Sequence, residues 1–86
     1  MKIHVTIAGR SYHMAEKLPP WMELPEGSSV DDALQHLAAL MPAGAALDPH
    51  CLVAVSGAHL GTLQVHRPHT LCEGDELLVL APVAGG

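Results

Sequence analysis

The residues best suited to chemistry stand at the end of the chain, where Gly85 and Gly86 follow Pro82, Val83 and Ala84. Glycine lacks a Cβ atom, so two in succession can enter a narrow channel and adopt backbone angles closed to other residues. Five extended residues reach about 17 Å, at roughly 3.4 Å per residue. Pro82 restricts the base of this segment, which lowers the cost of ordering it on insertion. We therefore expect residues 82–86 to form a flexible tail with a narrow, side-chain-free tip, rather than a frayed end.

Size and charge narrow the class of protein that could use such a tail. The 86 residues suffice for one small domain, which favours a carrier, adaptor or subunit over a self-contained enzyme. A hydrophobic content of 49% supports a folded core. The net charge of -5 argues against nucleic acid as a partner and favours a basic protein surface. No apolar run is long enough to span a membrane, and the beginning does not resemble a signal peptide, so we expect a cytoplasmic protein.

Periodicity predicts several strands. Ile3, Val5 and Ile7 alternate with polar residues, as in a strand with one buried face. The unbroken apolar run Leu77–Ala81 is typical of a central strand. The remaining candidates are a short edge strand at Trp21–Leu24, a strand at Leu52–Val55, a short strand within His59–Val65, and a return strand or short helix within Tyr12–Pro20.

One helix is predicted after Ser29, which is a good N-cap residue with Asp32 in the capping-box position. Pro42 disfavours helical backbone at the residue before it, so the helix should end near Met41. Its apolar stripe repeats at steps of three and four residues and comprises Val30, Ala33, Leu34, Leu37 and Met41.

This order of elements predicts an α+β fold of the β-grasp type, with one helix across one face of a mixed sheet. Residues 1–81 would form the domain and residues 82–86 the tail. Because one helix covers one face only, Leu78 and Leu80 would help to form a docking surface on the other face. The alternative is that loop residues such as Trp21 and Leu63 cover that face.

Histidine and cysteine residues do not predict a metal or catalytic site. His66 and His69 have a ligand-like interval and His50 adjoins Cys51, but no third and fourth ligands occur at a recognised spacing. We interpret these histidines as surface residues of loops. Cys51 and Cys72 form no CxxC pair and are interpreted as thiols that act as small hydrophobic residues.

The ending resembles that of a known family. A Gly74-Asp75-Glu76 turn, a hydrophobic strand, Pro82 and a terminal Gly85-Gly86 are typical of the MoaD/ThiS ubiquitin-like sulfur carriers. The segments Leu24–Val30 and Leu52–Ser56 resemble the entry into that family's helix and its following strand. The tail is closest to that of the molybdopterin synthase small subunit, which commonly ends Pro-Pro-Val-x-Gly-Gly. The departures from that branch are Ala81, Val79, Leu80 and Ser56.

The resemblance implies a carrier without catalytic side chains of its own. A ubiquitin-activating-type adenylyltransferase would use ATP to join Gly86 to AMP, and sulfur would then displace AMP to leave a C-terminal 1-thioglycine. No bound cofactor is implied. The thiocarboxylate would pass its sulfur to a larger synthase subunit, with two carriers serving a dimer of that subunit. Pro82, Val83, Ala84 and Gly85 would contact the partner together with Leu78 and Leu80.

Three alternatives remain open from the sequence. The carrier could supply sulfur to thiamine, cysteine, transfer-RNA thiolation or a specialised metabolite. It could instead be a ubiquitin-like modifier that is joined through Gly86 to lysines of other proteins. A plain β-grasp interaction module would need no free terminus at all.

Overall fold

The computed structural model describes residues 1–8, 20–40 and 49–81, which contain five strands and one helix. The sheet order is β2-β1-β5-β3-β4; β1 and β5 run parallel, and the other neighbours run antiparallel. This is the predicted α+β β-grasp arrangement, and the fold class is confirmed. The elements are β1 (Lys2–Ala8), β2 (Trp21–Glu23), α1 (Val30–Leu40), β3 (Leu52–Val55), β4 (Ala58–Thr62) and β5 (Glu76–Leu80).

Helix α1 begins as its N-terminal signals require. The Ser29 hydroxyl accepts a hydrogen bond from the Asp32 amide at 3.2 Å, and the Asp32 carboxylate accepts one from the Ser29 amide at 2.9 Å. These reciprocal bonds form the predicted capping box. The helix extends at least to Leu40, and the predicted end at Met41 lies outside the described residues.

The core lies between α1 and one face of the sheet, as the alternating patterns predict. Val30, Ala33 and Leu37 are the buried helix residues, and Leu34 is partly buried against the same cluster. The strand residues that meet them include Ile3, Val53, Val55, Leu77 and Val79. Strand β5 lies in the middle of the sheet, where Leu77 and Val79 are completely buried.

A polar turn and a hairpin set the register of β5. The Asp75 carboxylate accepts hydrogen bonds from the Cys72 amide at 2.8 Å and from the Ser56 hydroxyl at 2.9 Å. Ser56 and Gly57 form the turn between β3 and β4 with φ values of 47° and 87°. These contacts join the start of β5 to the end of β3, so the side chains of β5 are directed to defined faces.

Two sequence-based boundaries need correction. The edge strand ends at Glu23 instead of Leu24, and β5 spans Glu76–Leu80 instead of Leu77–Ala81. The short strand expected within His59–Val65 is β4, which begins at Ala58 and ends at Thr62. The chain reverses there, and the Thr62 amide donates to the Val65 carbonyl oxygen at 2.8 Å. Of the predicted return strand or short helix, residues 12–19 lie outside the described residues.

Candidate functional site

The base of the tail is held in the centre of the sheet. Leu80 is the last residue of β5, and the amide of the next residue, Ala81, donates to the Ala8 carbonyl oxygen at 2.8 Å. Strands β1 and β3 flank β5 on either side. The tail residues Pro82, Val83, Ala84, Gly85 and Gly86 lie outside the described residues, so their predicted roles stay predictions. The backbone is therefore held in the sheet up to Ala81.

The face of the sheet opposite α1, hereafter the outer face, has an apolar half beside that point. Ala8, Leu80 and Leu52 are register partners in one row across β1, β5 and β3. Leu78 and Ala54 pair with each other in the adjacent row. The exposed fractions are 45% for Leu52 and 38% for Leu80, whereas Leu78 is half-buried. Apolar surface is therefore accessible where the tail begins.

The other half of the outer face is polar and lies farther from the tail. His4 pairs with Trp21 on β2 and with Glu76 on β5. The His4 and Trp21 rings meet edge to face with centroids 4.9 Å apart, and Lys2 Nζ lies 5.3 Å from the Trp21 ring centroid. The outer face thus combines an apolar area next to the tail with a charged and aromatic area at its far end.

The two interpretations of the outer face differ in where Trp21 and Leu63 lie. Trp21 lies on the outer face, in its polar half opposite His4, which is four residues from Ala8 along β1. Leu63 packs against the core cluster instead. Of the two residues expected to cover this face, Trp21 therefore lies on it and Leu63 does not. Leu80 and Leu52 keep substantial exposure, as the docking hypothesis requires.

His66 contradicts the interpretation of the histidines as surface residues. Its side chain is only 8% exposed, with Nε2 2.6 Å from Asp31 Oδ1 and Nδ1 2.8 Å from the Thr62 carbonyl oxygen. Sequence periodicity could not reveal this pair because the two residues are 35 positions apart. Within residues 1–8, 20–40 and 49–81, no group of three or more metal-ligating side chains occurs.

The two cysteines also differ from each other. Cys51 is completely buried in the core and behaves as a small hydrophobic residue, as expected. Cys72 is exposed in the turn before β5, so the same interpretation is wrong there. Its amide, not its thiol, makes the contact that organises this turn.

Comparison with known families gave a match to the ThiS family over residues 6–86. The chain belongs to the ThiS family. Members of this family are small sulfur carriers that work with an adenylyltransferase and with sulfur-acceptor enzymes. No curated protein and no solved structure matched the chain.

The match to the ThiS family agrees with the observed β-grasp fold. It covers nearly the whole length, including β5 and the Gly85-Gly86 ending. The expected sulfur-carrier family and β-grasp fold are both confirmed, whereas the pathway is not decided by the match. In the described part of the chain, no helix is both long and apolar enough to cross a membrane.

Proposed function

We propose that this ThiS-family chain carries sulfur as a thiocarboxylate on Gly86 and serves as the small subunit of a molybdopterin synthase. The observation that carries the sulfur-carrier part of the proposal is the family match, which continues to the terminal Gly85-Gly86. A carboxylate is a poor acyl donor until one oxygen becomes a good leaving group. ATP supplies that group: the Gly86 carboxylate attacks the α-phosphorus, pyrophosphate leaves, and an acyl-adenylate forms. Sulfur at the oxidation level of hydrosulfide then attacks the acyl carbon, the C–O bond to AMP breaks, AMP leaves, and the thiocarboxylate remains.

The fold supports separate roles for the domain and the tail. The backbone bond from Ala81 to Ala8 holds the start of the tail between β1 and β3. Beyond it, residues 82–86 reach about 17 Å when extended. The domain can therefore remain on the partner's surface while Gly85 and Gly86 enter its reaction chamber. Catalytic side chains would belong to the partner, and this chain would act as carrier and co-substrate.

The outer face supports docking beside the tail. Leu80 and Leu78 belong to the same strand that leads into the tail, so a partner that receives Pro82, Val83 and Ala84 would also meet them. Burial of the exposed parts of Leu80 and Leu52 would contribute about 25 cal/mol per Å² of apolar surface. The acidic net charge of -5 favours a partner with a basic rim.

The tail sequence favours molybdopterin synthase over the other pathways. Pro82-Val83-Ala84-Gly85-Gly86 resembles the ending of that branch, although Ala81 replaces its first proline. Another departure, Ser56, has a left-handed φ of 47°, a conformation that Asn adopts more readily than most residues. The same structural demand is met here by serine. The alternatives are a carrier for thiamine, cysteine, transfer RNA or a specialised metabolite, and a ubiquitin-like modifier.

Intact-mass analysis of the protein purified from its own cell tests the carrier chemistry. We expect a fraction whose C-terminal residue has exchanged one oxygen for sulfur, and none in a variant that lacks Gly86. That variant should remain folded, because the last described residue of the sheet is Leu80. Sulfur transfer retained without Gly86 would refute the proposal. Isopeptide-linked remnants on lysines of other proteins would instead favour the modifier.

The enzyme that accepts the sulfur is identified in a separate experiment with the thiocarboxylate form of the carrier. The thiocarboxylate form is mixed with candidate large synthase subunits, and transfer is followed by loss of sulfur from Gly86. We expect complex formation and transfer with a molybdopterin synthase large subunit. Transfer only to an acceptor of another pathway would exclude the molybdopterin assignment while leaving the carrier chemistry intact.

Docking is tested by Leu80→Glu, with Leu40→Glu as the matched control. Leu40 is 42% exposed and lies on α1, on the opposite side of the sheet from the outer face. Both changes place the same charge at an exposed leucine. We expect Leu80→Glu to weaken binding to the activating enzyme at least tenfold and Leu40→Glu to change it less than twofold. Equal effects of the two variants in a folded protein would exclude docking at Leu80.

A further inference from the structure

The segment of residues 63–71, hereafter the strap, lies across the first turn of helix α1. The Val30 amide donates to the His69 carbonyl oxygen at 2.9 Å, and the Leu71 amide donates to the Ser28 carbonyl oxygen at 2.9 Å. The first bond satisfies one of the helix amides that have no partner within the helix. The strap thus joins β4 to the beginning of α1.

His66 makes the side-chain contact that fastens this strap to the helix. Its Nδ1 lies 2.8 Å from the Thr62 carbonyl oxygen and its Nε2 lies 2.6 Å from Asp31 Oδ1. A carbonyl oxygen and an ionised carboxylate can only accept hydrogen bonds, so each ring nitrogen must donate. A neutral imidazole carries one N–H and can satisfy only one of the two. The contacts therefore require an imidazolium.

We propose that His66 is a proton-operated clamp, which fastens the strap to α1 when protonated and releases it, with the sheet still folded, when the proton is lost. In the neutral ring one nitrogen presents a lone pair to an oxygen atom. The attraction at that contact becomes a repulsion, and in either tautomer the ring loses the positive charge that pairs with Asp31 on the helix. This inference is independent of the sulfur-carrier proposal.

The surroundings of the ring favour the charged form on balance. Burial lowers the pKa of His66, but the hydrogen bond and charge of Asp31 and the backbone bonds to Thr62 and Leu63 outweigh it. The pKa of His66 is therefore raised above its ordinary value of 6.5. A raised pKa means that the clamp is at full strength below pH 6.5 and weakens as the pH rises through the higher value.

The other charged groups on these elements do not replace Asp31. On α1, the Asp32 carboxylate is occupied by the amide and hydroxyl of Ser29. On the strap, the Arg67 guanidinium donates to the carbonyl oxygen of His59 on β4 at 2.7 Å. His69, also on the strap, contributes its carbonyl oxygen to the helix. Asp31 is thus the anion that the His66 ring contacts.

The experiment uses nuclear magnetic resonance on the full chain, with the wild type and Asp31→Asn compared. The His66 ring signals are titrated with pH, and exchange of the Val30 and Leu71 amides is followed over the same range, corrected for the intrinsic exchange rate. We expect a His66 pKa above 6.5 in the wild type and a lower value in Asp31→Asn. Protection of both amides should fall as the ring loses its proton.

The pKa difference of His66 and the loss of amide protection must agree in size. Each unit by which the pKa of His66 in the closed strap exceeds that in the open strap corresponds to a tenfold loss of protection. The Leu24 amide, which donates to the Met1 carbonyl oxygen at the other edge of the sheet, should keep its protection. Equal loss at Leu24, Val30 and Leu71 would show global destabilisation and would overturn the release of the strap alone.

Histidine variants provide the matched control. His66→Gln should remove the pH dependence of Val30 and Leu71 protection, whereas His59→Gln should leave it unchanged because the His59 contact uses its carbonyl oxygen. If His66→Gln does not fold, Asp31→Asn still decides the question, since the Asp31 side chain is 63% exposed. A His66 pKa at or below 6.5, or one unaffected by Asp31→Asn, would overturn the clamp.

Discussion

Substitution of Gly61 tests the tight turn that connects β4 to the strap. Its φ is +139°, and a Cβ atom added there would lie 2.4 Å from the Val65 carbonyl oxygen and 3.0 Å from His66 Cα. Both contacts are with backbone atoms, which cannot rotate away as a side chain could. The same carbonyl oxygen accepts the Thr62 amide hydrogen bond at 2.8 Å. Gly61→Ala must therefore displace the strap, break that bond, or both.

The cost of Gly61→Ala follows from two terms. A non-glycine residue in a sparsely populated backbone region costs about 1–3 kcal/mol. Loss of the Thr62 hydrogen bond costs about 1 kcal/mol more. We expect the free energy of unfolding to fall by about 2–4 kcal/mol, a large share of the 5–15 kcal/mol that is typical of a domain. For a domain of this size the melting temperature should drop by at least about 8 °C.

Urea unfolding followed by circular dichroism measures this cost, with Gly57→Ala as the control. Gly57 also has a positive φ, of +87°, but no atom lies within 4 Å of its added Cβ. Only backbone strain remains there, which costs about 1 kcal/mol. The His66 pKa should also fall in Gly61→Ala and not in Gly57→Ala. Equal unfolding free energies for the two variants would refute the assignment of a steric role to Gly61.

Two further predictions concern the core and the helix start. Leu77→Ala removes a fully buried side chain and should lower the free energy of unfolding by about 2–5 kcal/mol. Leu78→Ala, at a half-buried position of the outer face, should lower it by less than half of that. Equal losses would contradict the assigned faces of β5. Ser29→Ala removes the hydroxyl that accepts from the Asp32 amide and should cost about 1 kcal/mol in thermal unfolding, an effect that Ser29→Thr should largely avoid.

Local patterns predicted most elements because their signals lie within a few residues. The Ser29 and Asp32 capping box is complete within four positions, and it starts α1 where expected. The apolar run Leu77–Ala81 predicted the central strand, because a strand buried on both sides needs apolar residues at successive positions. The end of the short strand within His59–Val65 was not defined by the sequence, because the reversal after Thr62 depends on a close backbone approach at Gly61.

The candidate site also combines features that the sequence predicts with features that depend on the fold. The Gly85-Gly86 ending and the apolar pair Leu78 and Leu80 are visible in the sequence, and they led to the carrier family that the comparison confirmed. The exposure of Leu52 beside Leu80 could not be predicted, because it depends on the register between β3 and β5. Whether Trp21 covered this surface was likewise a question of register between β1 and β2.

The sequence alone determined the type of each main element, the β-grasp order and the glycine ending, because these depend on side-chain period, capping and backbone freedom over short stretches. Only the tertiary structure decided which apolar residues stay exposed and that His66 meets Asp31. Those outcomes depend on which distant segments lie side by side. Two side chains 35 residues apart share no local pattern, and their interaction exists only once the strap has folded across α1.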